Sequence, residues 1–499
     1  MLYHRYFLIQ MLLILGLVVA TTSAQEAKQP PLADHLSETR HTVQTGSGNL
    51  EYVATAGTLV LKEEDGKPLA GVFFVAYTKT GVSDLSKRPV TFTFNGGPGS
   101  SSVWLHMGAF GPKKVLLDDD GNPLPPPYKL VDNPFNLLNV TDLVFIDPVS
   151  TGFSRPAPGV PNSKFHGVQQ DLDTVGEFIR LYTTRYNRWQ SPKFLAGESY
   201  GGTRAAGLAS VLQDKHTMGL NGVILISPAI NFQTIRFDEG NDLPFVLFLP
   251  TYTATAWYHK CLAKELQSDL SATVAEAKKF AESEYTQALM KGDKLSAADK
   301  KAIAAKVARF TGLSEKYVLQ TNLRVHIQRF CRELLRDDRK TVGRLDSRFI
   351  GYSKDAAGET PDFDAASAAH DSTFGATVNH YLRNDLKFKT DLSYELLTKR
   401  VQPWDYGTAK NSYVNVAPML RQAMTKNRDL KVMVANGYYD LATPFCTTDY
   451  SIDHLGVEAA LLGNITTRYY EAGHMMYVHK KSHEQLHKEL SKFYQSAVR

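Results

Sequence analysis

The chain has 499 residues, of which 43% are hydrophobic, 11% aromatic and 21% charged. This is the composition of an ordinary globular protein, and it excludes a wholly disordered, collagen-like or coiled-coil chain. The 56 Lys and Arg residues nearly balance the 51 Asp and Glu residues. Because the resulting net charge of +5 is small and dispersed along the chain, we predict no nucleic-acid partner.

The first 24 residues have the three parts of a secretory signal. Arg5 precedes an almost wholly apolar stretch, residues 7–20, and small residues ending at Ala24 precede the polar Gln25. A signal peptide has an apolar region of about 7–15 residues, whereas a membrane span needs about 18 or more. We expect residues 1–24 to be removed and the protein to be exported, to the periplasm or the extracellular medium, with no stable membrane insertion after cleavage. An uncleaved N-terminal anchor is the main alternative.

The next part of the chain predicts an arm, a hairpin and then a sheet. Residues 25–50 are polar and are expected to form an irregular arm. Residues 51–61 and 69–78 alternate in polarity around the turn-like residues 63–66, which predicts an antiparallel hairpin. Short apolar runs then alternate with helical segments, which favours a largely parallel sheet with helices on both faces. The runs are residues 90–94, 143–146, 194–196, 223–226, 432–435 and 467–470, and the clearest helical segments are 172–189 and 203–213.

Residues 244–423 break this rhythm and are predicted to form a mainly helical insertion between two strands of one sheet. Residues 272–308 are rich in Ala, Lys and Glu with helical periodicity. Residues 337–373 are polar and rich in Asp, Arg and Gly, which favours a loop. The predicted organisation is a signal peptide, an arm, a first core part, the insertion and a second core part: residues 1–24, 25–50, 51–243, 244–423 and 424–499.

The segment Gly197-Glu198-Ser199-Tyr200-Gly201 carries the strongest chemical signal. It follows an apolar run and precedes a helical segment. In a nucleophile elbow, the serine of Gly-x-Ser-x-Gly sits on a strained strand-to-helix turn of this kind. The motif is short enough to occur by chance, so its position between strand and helix carries the prediction that Ser199 is a nucleophile.

A serine hydroxyl needs a histidine base that is held by a carboxylate. The last two predicted strands lead into suitable residues, Asp440 and His474. The chain order Ser, Asp, His is that of α/β-hydrolases, so we predict a triad of Ser199, Asp440 and His474. Taken singly, Asp440 could be a turn or helix-capping residue and His474 a hydrogen-bonded loop histidine.

A glycine-rich segment, Asn95-Gly96-Gly97-Pro98-Gly99, follows the predicted strand at residues 90–94. Glycines let backbone N–H groups approach a substrate, and Pro98 stiffens the loop. The segment therefore fits the donors that a developing oxyanion requires. A tight turn at the end of a strand is the alternative.

Five segments of the chain, in the same order, resemble the serine carboxypeptidase family. They are Phe-Asn-Gly-Gly-Pro-Gly-Ser-Ser-Ser at 94–102, Val-Phe-Ile-Asp at 144–147, Thr-Gly-Phe-Ser at 151–154, Gly-Glu-Ser-Tyr-Gly at 197–201 and Ala-Gly-His-Met at 472–475. With the predicted signal, the resemblance is to an exported, bacterial-type member. It implies an α/β-hydrolase fold with a helical cap insertion and an enzyme that removes C-terminal residues from peptides through an acyl-enzyme, without cofactor or metal.

The resemblance also implies roles for residues beside the triad. By position, the backbone N–H groups of Gly97 and Tyr200 would form the oxyanion hole, and Asn95 and Glu198 would bind the terminal carboxylate of the substrate. A protonated Glu198 could donate a hydrogen bond to that carboxylate, whereas an ionised one would repel it. We therefore expect substrate binding to weaken as the pH rises.

The chain departs from the family's pattern in several places. Ala109 stands where the family usually has a second glutamate that shares a proton with the elbow glutamate. Ser100 replaces a frequent disulfide cysteine, and Arg204 replaces a frequent tyrosine. A hypothesis is that Arg204 supplies positive charge that compensates for the missing carboxylic pair in binding the substrate carboxylate. Residues 476–480 lack the family's Pro and Asp. An esterase, an acyltransferase or a less strict peptidase that uses the same triad is therefore the alternative function.

The cysteines and a histidine pair near the C-terminus form two further patterns. Three cysteines do not make a disulfide framework; Cys261 and Cys331 could form one bridge and leave Cys446 over, or all three could be free thiols. His483-Glu484-Gln485-Leu486-His487 matches the H-E-x-x-H zinc motif, but no distant third ligand follows it. Residues 482–497 are better explained as an amphipathic surface helix, and we predict no metal site.

Overall fold

The computed structural model describes residues 32–45 and 48–498, so the predicted signal peptide lies outside the described residues. A ten-stranded sheet has the order β1-β2-β3-β7-β4-β9-β10-β13-β14, with β8 beside β3, and two small hairpins are formed by β5 with β6 and by β11 with β12. The strands are β1 (His35–Thr45), β2 (Gly48–Lys62), β3 (Pro68–Lys79), β4 (Val90–Phe94), β5 (Lys113–Val115), β6 (Leu130–Asp132), β7 (Asp142–Ile146), β8 (Arg155–Pro156), β9 (Lys193–Glu198), β10 (Gly222–Ile226), β11 (Lys340–Val342), β12 (Ile350–Tyr352), β13 (Lys431–Gly437) and β14 (Ile465–Tyr470).

Helices follow most of the long strands and fill the stretch between β10 and β13. They are α1 (Val168–Arg185), α2 (Tyr200–His216), α3 (Leu243–Tyr258), α4 (Leu270–Phe280), α5 (Thr286–Lys291), α6 (Ala297–Thr311), α7 (Glu315–Gln320), α8 (Ile327–Glu333), α9 (Ala365–Asn384), α10 (Ala417–Lys426), α11 (Phe445–Asp453), α12 (Ala459–Leu462) and α13 (Lys480–Ala497). Two short π-helical segments, Leu105–Phe110 and Ala281–Tyr285, and several 3₁₀ turns lie between these elements.

The predicted sheet is confirmed. Each of the six apolar runs lies in a strand, and β7, β4, β9, β10, β13 and β14 pair in parallel. Because side chains on both faces of β4, β7 and β10 are buried, these three strands read as nearly continuous apolar runs. The carboxyl ends of parallel strands share one edge of a sheet, and the loops that follow β4, β9, β13 and β14 therefore meet there.

Helices cover both faces of the sheet, as an α/β-hydrolase fold requires. Leu172 of α1, Ala205 of α2 and Leu420 of α10 are buried in the apolar core on one face. On the other face, Phe374 of α9 and Leu486 of α13 are buried in a second core. The predicted fold class, a mostly parallel sheet between helices with a helical insertion, is the observed one.

The N-terminal arm is corrected by the structure. Residues 35–45 form strand β1, which pairs antiparallel with β2 along its whole length, from His35 opposite Thr58 to Thr45 opposite Gly48. Most of its side chains are exposed or half-buried, and Val43 and Thr45 are buried. The sequence hid this strand because an edge strand that buries few side chains needs few apolar residues. The predicted hairpin of residues 51–61 and 69–78 is confirmed as β2 and β3.

The insertion has two parts with different packing. Helices α3 to α8 gather around an apolar cluster of their own that contains Tyr252, Phe310 and Phe330. Helix α9 instead packs against the sheet, through Phe374, Val378 and Tyr381. Part of the stretch predicted as cap therefore belongs to the layer that covers the core sheet.

The polar stretch 337–373 is more ordered than a loop. It contains the β11–β12 hairpin and the start of α9. Asp364 caps this helix by accepting hydrogen bonds from the backbone N–H groups of Ala366 and Ser367. Three-residue strands are too short to show an alternating pattern, so the sequence did not reveal the hairpin.

The remaining sequence predictions have clear outcomes. All three cysteines are free thiols, so Cys261 and Cys331 are not bridged. The helical character of residues 272–308 is confirmed, divided among α4, α5 and α6. Residues 482–497 lie in α13, which buries Leu486, Leu490 and Phe493 as predicted. Among the described residues, no helix has both the length and the apolar character needed to cross a membrane.

Candidate active site

Ser199 lies on a sharp turn between strand β9, which ends at Glu198, and helix α2, which begins at Tyr200. Its backbone has φ 62° and ψ −124°, a conformation that is strained for a residue with a side chain. A Cβ atom on Gly197 would collide with the carbonyl oxygen of Gly201, so the close turn requires glycine there. The local geometry is that of a nucleophile elbow.

The structure brings Asp440 and His474 together. The loops that carry them follow β13 and β14, which are neighbours in the sheet. His474 donates from Nδ1 to Oδ2 of Asp440 over 2.7 Å, and both side chains are buried. Burial disfavours a charged imidazole, but the carboxylate of Asp440 outweighs it and raises the pKa of His474. In the same way, burial would raise the pKa of Asp440, but the imidazole of His474 and nearby donors hold it below its usual value.

Thr443 is a site residue that the sequence reasoning missed. Its hydroxyl lies 2.8 Å from Oδ2 of Asp440, 3.2 Å from Nδ1 of His474 and 2.8 Å from the carbonyl oxygen of Ser227. Its backbone N–H donates to Oδ1 of Asp440 over 3.1 Å. Thr443 therefore fixes the orientation of the carboxylate. A threonine three residues after Asp440 carries no distinctive sequence signal.

A four-residue segment of the insertion, residues 344–347, binds both of these loops, and we call it the clasp. The backbone carbonyls of Arg344 and Leu345 and the carboxylate of Asp346 accept hydrogen bonds from the loops, and the backbone N–H of Ser347 donates one. His474 N–H donates to Leu345 over 2.7 Å, Leu441 N–H to Arg344 over 3.0 Å, Gly473 N–H to Oδ2 of Asp346 over 3.0 Å, and Ser347 N–H to Tyr439 over 2.9 Å. The positions of Asp440 and His474 thus depend on a segment about 95 to 130 residues away along the chain.

The glycine-rich loop packs against the start of α2. A Cβ atom on Gly96 would collide with the backbone nitrogen of Tyr200, so the two segments touch through their backbones. Gly97 has a φ of +104°, which favours glycine. The N–H of Tyr200 belongs to the first turn of α2 and has no partner within the helix. Both predicted oxyanion donors therefore lie at one junction beside Ser199.

Asn95 and Glu198 form a buried hydrogen-bonded pair. Asn95 donates from Nδ2 to Oε1 of Glu198 over 2.9 Å, and its Oδ1 accepts the N–H of Leu105 over 3.0 Å, which fixes the orientation of the amide. Burial raises the pKa of Glu198 to about 7, although His474, Tyr477 and Asn95 oppose the rise. Glu198 is therefore a carboxylic acid that stays protonated in mildly acidic solution.

Arg204 does not face the substrate cavity, contrary to the idea that it supplies compensating charge there. Its side chain is 1% exposed and pairs with both carboxylate oxygens of Asp171, at 2.8 and 3.1 Å. Its Nη1 donates to the backbone carbonyl of Asn95 over 2.7 Å. Because Asp171 offsets the charge, the role of Arg204 is to hold the residue that binds Glu198.

Ser199 and His474 line one cavity of about 400 Å³. Asn95, Gly97 and Glu198 also line it, so it contains every predicted site residue except Asp440 and Tyr200. The insertion provides the opposite wall, in part through Arg344 and Leu345 of the clasp. The cavity therefore combines the predicted nucleophile with a carboxyl group that is protonated in mildly acidic solution.

The H-E-x-x-H residues are structural. His483 and His487 lie on α13 and bond to backbone carbonyls in two different places, Ala109 over 2.8 Å and Phe135 over 3.0 Å. Burial lowers the pKa of His483 to about 3, so it is neutral at ordinary pH. Among the described residues there is no cluster of three or more His, Cys, Asp or Glu side chains that could hold a metal ion.

The fold and the site define an α/β-hydrolase with a serine nucleophile elbow, and comparison with known proteins gives the family. The family model for serine carboxypeptidase matches residues 49–489, so the chain belongs to that family. In structure, the chain is similar to a prohormone-processing carboxypeptidase from Saccharomyces cerevisiae, with a TM-score of 0.58 and 17% identity over 89% of this chain and 91% of that one. At that identity the likeness shows the fold.

Curated relatives agree with the family. Serine carboxypeptidase-like 20 of Arabidopsis thaliana is 32% identical over 37% of this chain, and the carboxypeptidase Y homolog of Arthroderma benhamiae is 29% identical over 31% of it. The matches span only 34% and 29% of the length of these relatives. Serine carboxypeptidase-like 34 of Arabidopsis thaliana is 24% identical over 83% of this chain and 76% of its own length.

Proposed function

We propose that the protein removes C-terminal residues from peptides, with Ser199, His474 and Asp440 as its catalytic triad. The observation that carries the proposal is the 2.7 Å contact between His474 and Asp440 behind a cavity that also contains Ser199 and the buried pair of Asn95 and Glu198. A triad by itself could hydrolyse many acyl compounds. The protonated carboxyl group of Glu198, which also lines the cavity, favours a substrate that ends in a carboxylate.

The proposed reaction follows from these positions. Nε2 of His474 takes the proton of the Ser199 hydroxyl as its oxygen attacks the carbonyl carbon of the last peptide bond. Asp440 stabilises the imidazolium that forms, and the N–H groups of Gly97 and Tyr200 bind the oxyanion. His474 then gives its proton to the departing amine, which leaves an acyl-enzyme on Ser199. A water molecule, activated by His474, hydrolyses this ester.

Recognition of the carboxylate depends on the protonation state of Glu198. A protonated Glu198 donates a hydrogen bond to the substrate carboxylate, and the amide of Asn95 keeps the acid in position. An ionised Glu198 would repel the substrate. Since burial raises its pKa to about 7, this recognition is expected to be lost as the pH rises through that value.

The test compares peptides that differ only at the C-terminus. We expect the protein to release the last residue of a free-acid peptide and to leave the amidated peptide nearly intact at pH 5–6, as followed by mass spectrometry. Ser199→Ala should abolish release, and a fluorophosphonate should label the wild-type serine. Equal cleavage of both peptides would reject terminal-carboxylate recognition, and hydrolysis of esters without release of residues would favour the esterase alternative.

We further infer that the protein is exported, and its bacterial-type character stays a prediction from the sequence. The basic residue, apolar stretch and small residues within residues 1–24 support export. Expression with the native leader should give a mature chain that begins at Gln25, measured as the intact mass. A chain that retains Met1 in the membrane fraction would contradict cleavage.

A further inference from the structure

We propose that Tyr477 is a positioning residue that completes the carboxylate-binding pair by donating a hydrogen bond from its hydroxyl to Oε2 of Glu198. It would take the place of the second carboxyl group that the family resemblance leads one to expect and that this chain lacks. The inference rests on the proposed function for its catalytic consequence, but the hydrogen bond itself can be tested without any activity.

The ring of Tyr477 occupies the side of the site where the second carboxyl group is missing. Tyr477 lies on a short 3₁₀ segment, Met476–Val478, directly after the loop of His474, and is 1% exposed. A Cβ atom on Gly108 would lie 2.7 Å from Cε2 of the tyrosine ring, so the ring packs directly on that glycine. Gly108 is the neighbour of Ala109, where the resemblance expects the glutamate. The absence of a side chain at Gly108 thus leaves the space that the ring fills.

The two polar atoms are otherwise unpartnered. Asn95 bonds to Oε1 of Glu198, whereas Oε2 of Glu198 and the hydroxyl of Tyr477 are both buried and make no hydrogen bond to any described residue. Both atoms are buried, and each group alters the pKa of the other: Tyr477 lowers that of Glu198, and Glu198 raises that of Tyr477. Two adjacent buried polar atoms without other partners are expected to bond to each other, because an unmade hydrogen bond in the interior is costly.

The charges around Glu198 give the direction of the effect. Besides Tyr477, the groups that face it are Asn95, which lowers its pKa, His474, which also lowers it, and Asp440, which raises it. Burial raises the pKa of Tyr477 well above 10, so the phenol remains a neutral donor across the working range. A donor favours the ionised acceptor. Loss of the hydroxyl should therefore raise the pKa of Glu198.

The phenol also differs from a second carboxyl group in what it leaves for the substrate. Two carboxyl groups side by side share one proton between them. A tyrosine donates its own proton to Oε2, so the proton of the neutral Glu198 remains free to face the substrate carboxylate. Tyr477 thus preserves binding of the substrate carboxylate without a second acid. This binding is then expected to be lost at a pH near the pKa of Glu198.

Tyr477→Phe is the decisive variant, because it keeps the ring that packs on Gly108 and removes only the hydroxyl. The first measurement is infrared titration of the protonated carboxyl band of Glu198, identified by its absence in Glu198→Gln. We expect the midpoint in Tyr477→Phe to lie about half a pH unit or more above that of the wild type. Tyr494→Phe is the matched control: its hydroxyl is also buried, bonds to Thr91 at the opposite end of β4, and should leave the midpoint unchanged.

The second measurement is the pH dependence of KM for a free-acid peptide. The rise of KM at alkaline pH should move to higher pH in Tyr477→Phe by the same amount, with little change for an ester that lacks a terminal carboxylate. An unchanged infrared midpoint in a folded Tyr477→Phe protein would overturn the inference. A shifted midpoint in a protein that releases no C-terminal residue would support the hydrogen bond and reject the proposed function instead.

Discussion

Glu198 is a buried acid whose pKa of about 7 lies within the range in which most enzymes work. Ordinary carboxyl groups have lost their proton well below that pH. Near pH 6 Glu198 is therefore mostly neutral and carries a proton that it can donate. The N–H of Leu105 fixes the amide of Asn95, so that Asn95 donates to Oε1 of Glu198 before a substrate arrives.

Replacing Glu198 by Gln tests this property directly. The amide cannot ionise, so it can donate to a substrate carboxylate at every pH. We expect KM of the wild type for a free-acid peptide to rise above about pH 7, by up to about tenfold for each pH unit, and KM of Glu198→Gln to stay nearly flat. A variant whose KM rose as steeply as that of the wild type would show that another group controls binding.

Thr443 is the second residue whose contribution can be isolated. Thr443→Val keeps the shape of the side chain and removes the hydroxyl that contacts Asp440 and His474. The loss of one such hydrogen bond, about 1 kcal/mol, should lower kcat about fivefold, and Thr443→Ser should restore it. Initial rates at saturating peptide measure both effects. Wild-type kcat in Thr443→Val would mean that the other contacts of Asp440 suffice.

At the scale of elements, the clasp ties the insertion to the loops after β13 and β14. Asp346 is the side chain at its centre: it accepts the N–H of Gly473 and pairs with Arg348 at 2.7 Å, and both charged groups are buried. The segment also lines the cavity through Arg344 and Leu345. The same few residues therefore position His474 and form part of the cavity wall.

Asp346→Ala should lower both stability and kcat. Removal of the carboxylate leaves a buried guanidinium unpaired, so we expect the free energy of unfolding to fall by about 3 kcal/mol. Denaturant titration and initial rates measure the two effects. Asp338→Ala is the control, because its ion pair with Lys340 is long, at 3.6 Å, and exposed; it should change stability by less than about 0.5 kcal/mol.

A double variant separates the two roles of Asp346. Asp346→Ala with Arg348→Met removes the unpaired charge, so most of the stability should return. Because Gly473 still lacks its acceptor, kcat should remain low. Recovery of both quantities would show that the clasp side chain stabilises the fold without positioning His474.

Much of the fold could be predicted from the sequence, for identifiable reasons. Strands such as β4 and β10 are buried on both faces and read as apolar runs. The Gly-x-Ser-x-Gly turn could be predicted because it stands between a strand and a helix. Asp440 and His474 could be predicted as partners of Ser199 because each follows a predicted strand in the expected chain order. The roles of these residues in catalysis remain predictions, whereas the structure gives the contact between Asp440 and His474.

Contacts between polar residues that lie far apart along the chain could not be predicted from the sequence. The clasp reaches Gly473 from Asp346, and Arg204 reaches Asp171 from another helix. Neither contact has a periodicity or a motif, since each depends on how whole elements are placed. Strand β1 was missed for a related reason, because its exposed side chains are mostly polar and its stability comes from pairing with β2.

For the whole molecule, stability comes from packed cores and not from disulfides. The sheet has a large apolar core on each face, and helices α3 to α8 add another. All three cysteines are free, and burial raises the pKa of each thiol. The molecule therefore has no covalent link that a reducing environment could break.

A reductant should accordingly leave Tm and activity unchanged. With a thiol reagent such as Ellman's reagent, the native protein should react slowly and at no more than Cys261, which is half-buried, whereas the unfolded chain should react at all three cysteines. Calorimetry with and without reductant and the thiol count measure these outcomes. A fall in Tm on reduction, or an unfolded chain with one reactive thiol, would indicate a bridge.

The clasp limits how freely this protein could be re-engineered or could diverge. Hydrolases are often treated as a constant catalytic core with an exchangeable insertion over the cavity, so that a new insertion gives a new specificity. An insertion taken from another protein would also have to supply the backbone carbonyls of residues 344 and 345 and the carboxylate of residue 346. These groups would have to meet the loops that follow β13 and β14 in the same positions. Because Thr255 of α3 contacts Ser347 of the clasp over 2.7 Å, chimeras that keep α3 and the β11–β12 hairpin and exchange only α4 to α8 are expected to leave Asp440 and His474 in place.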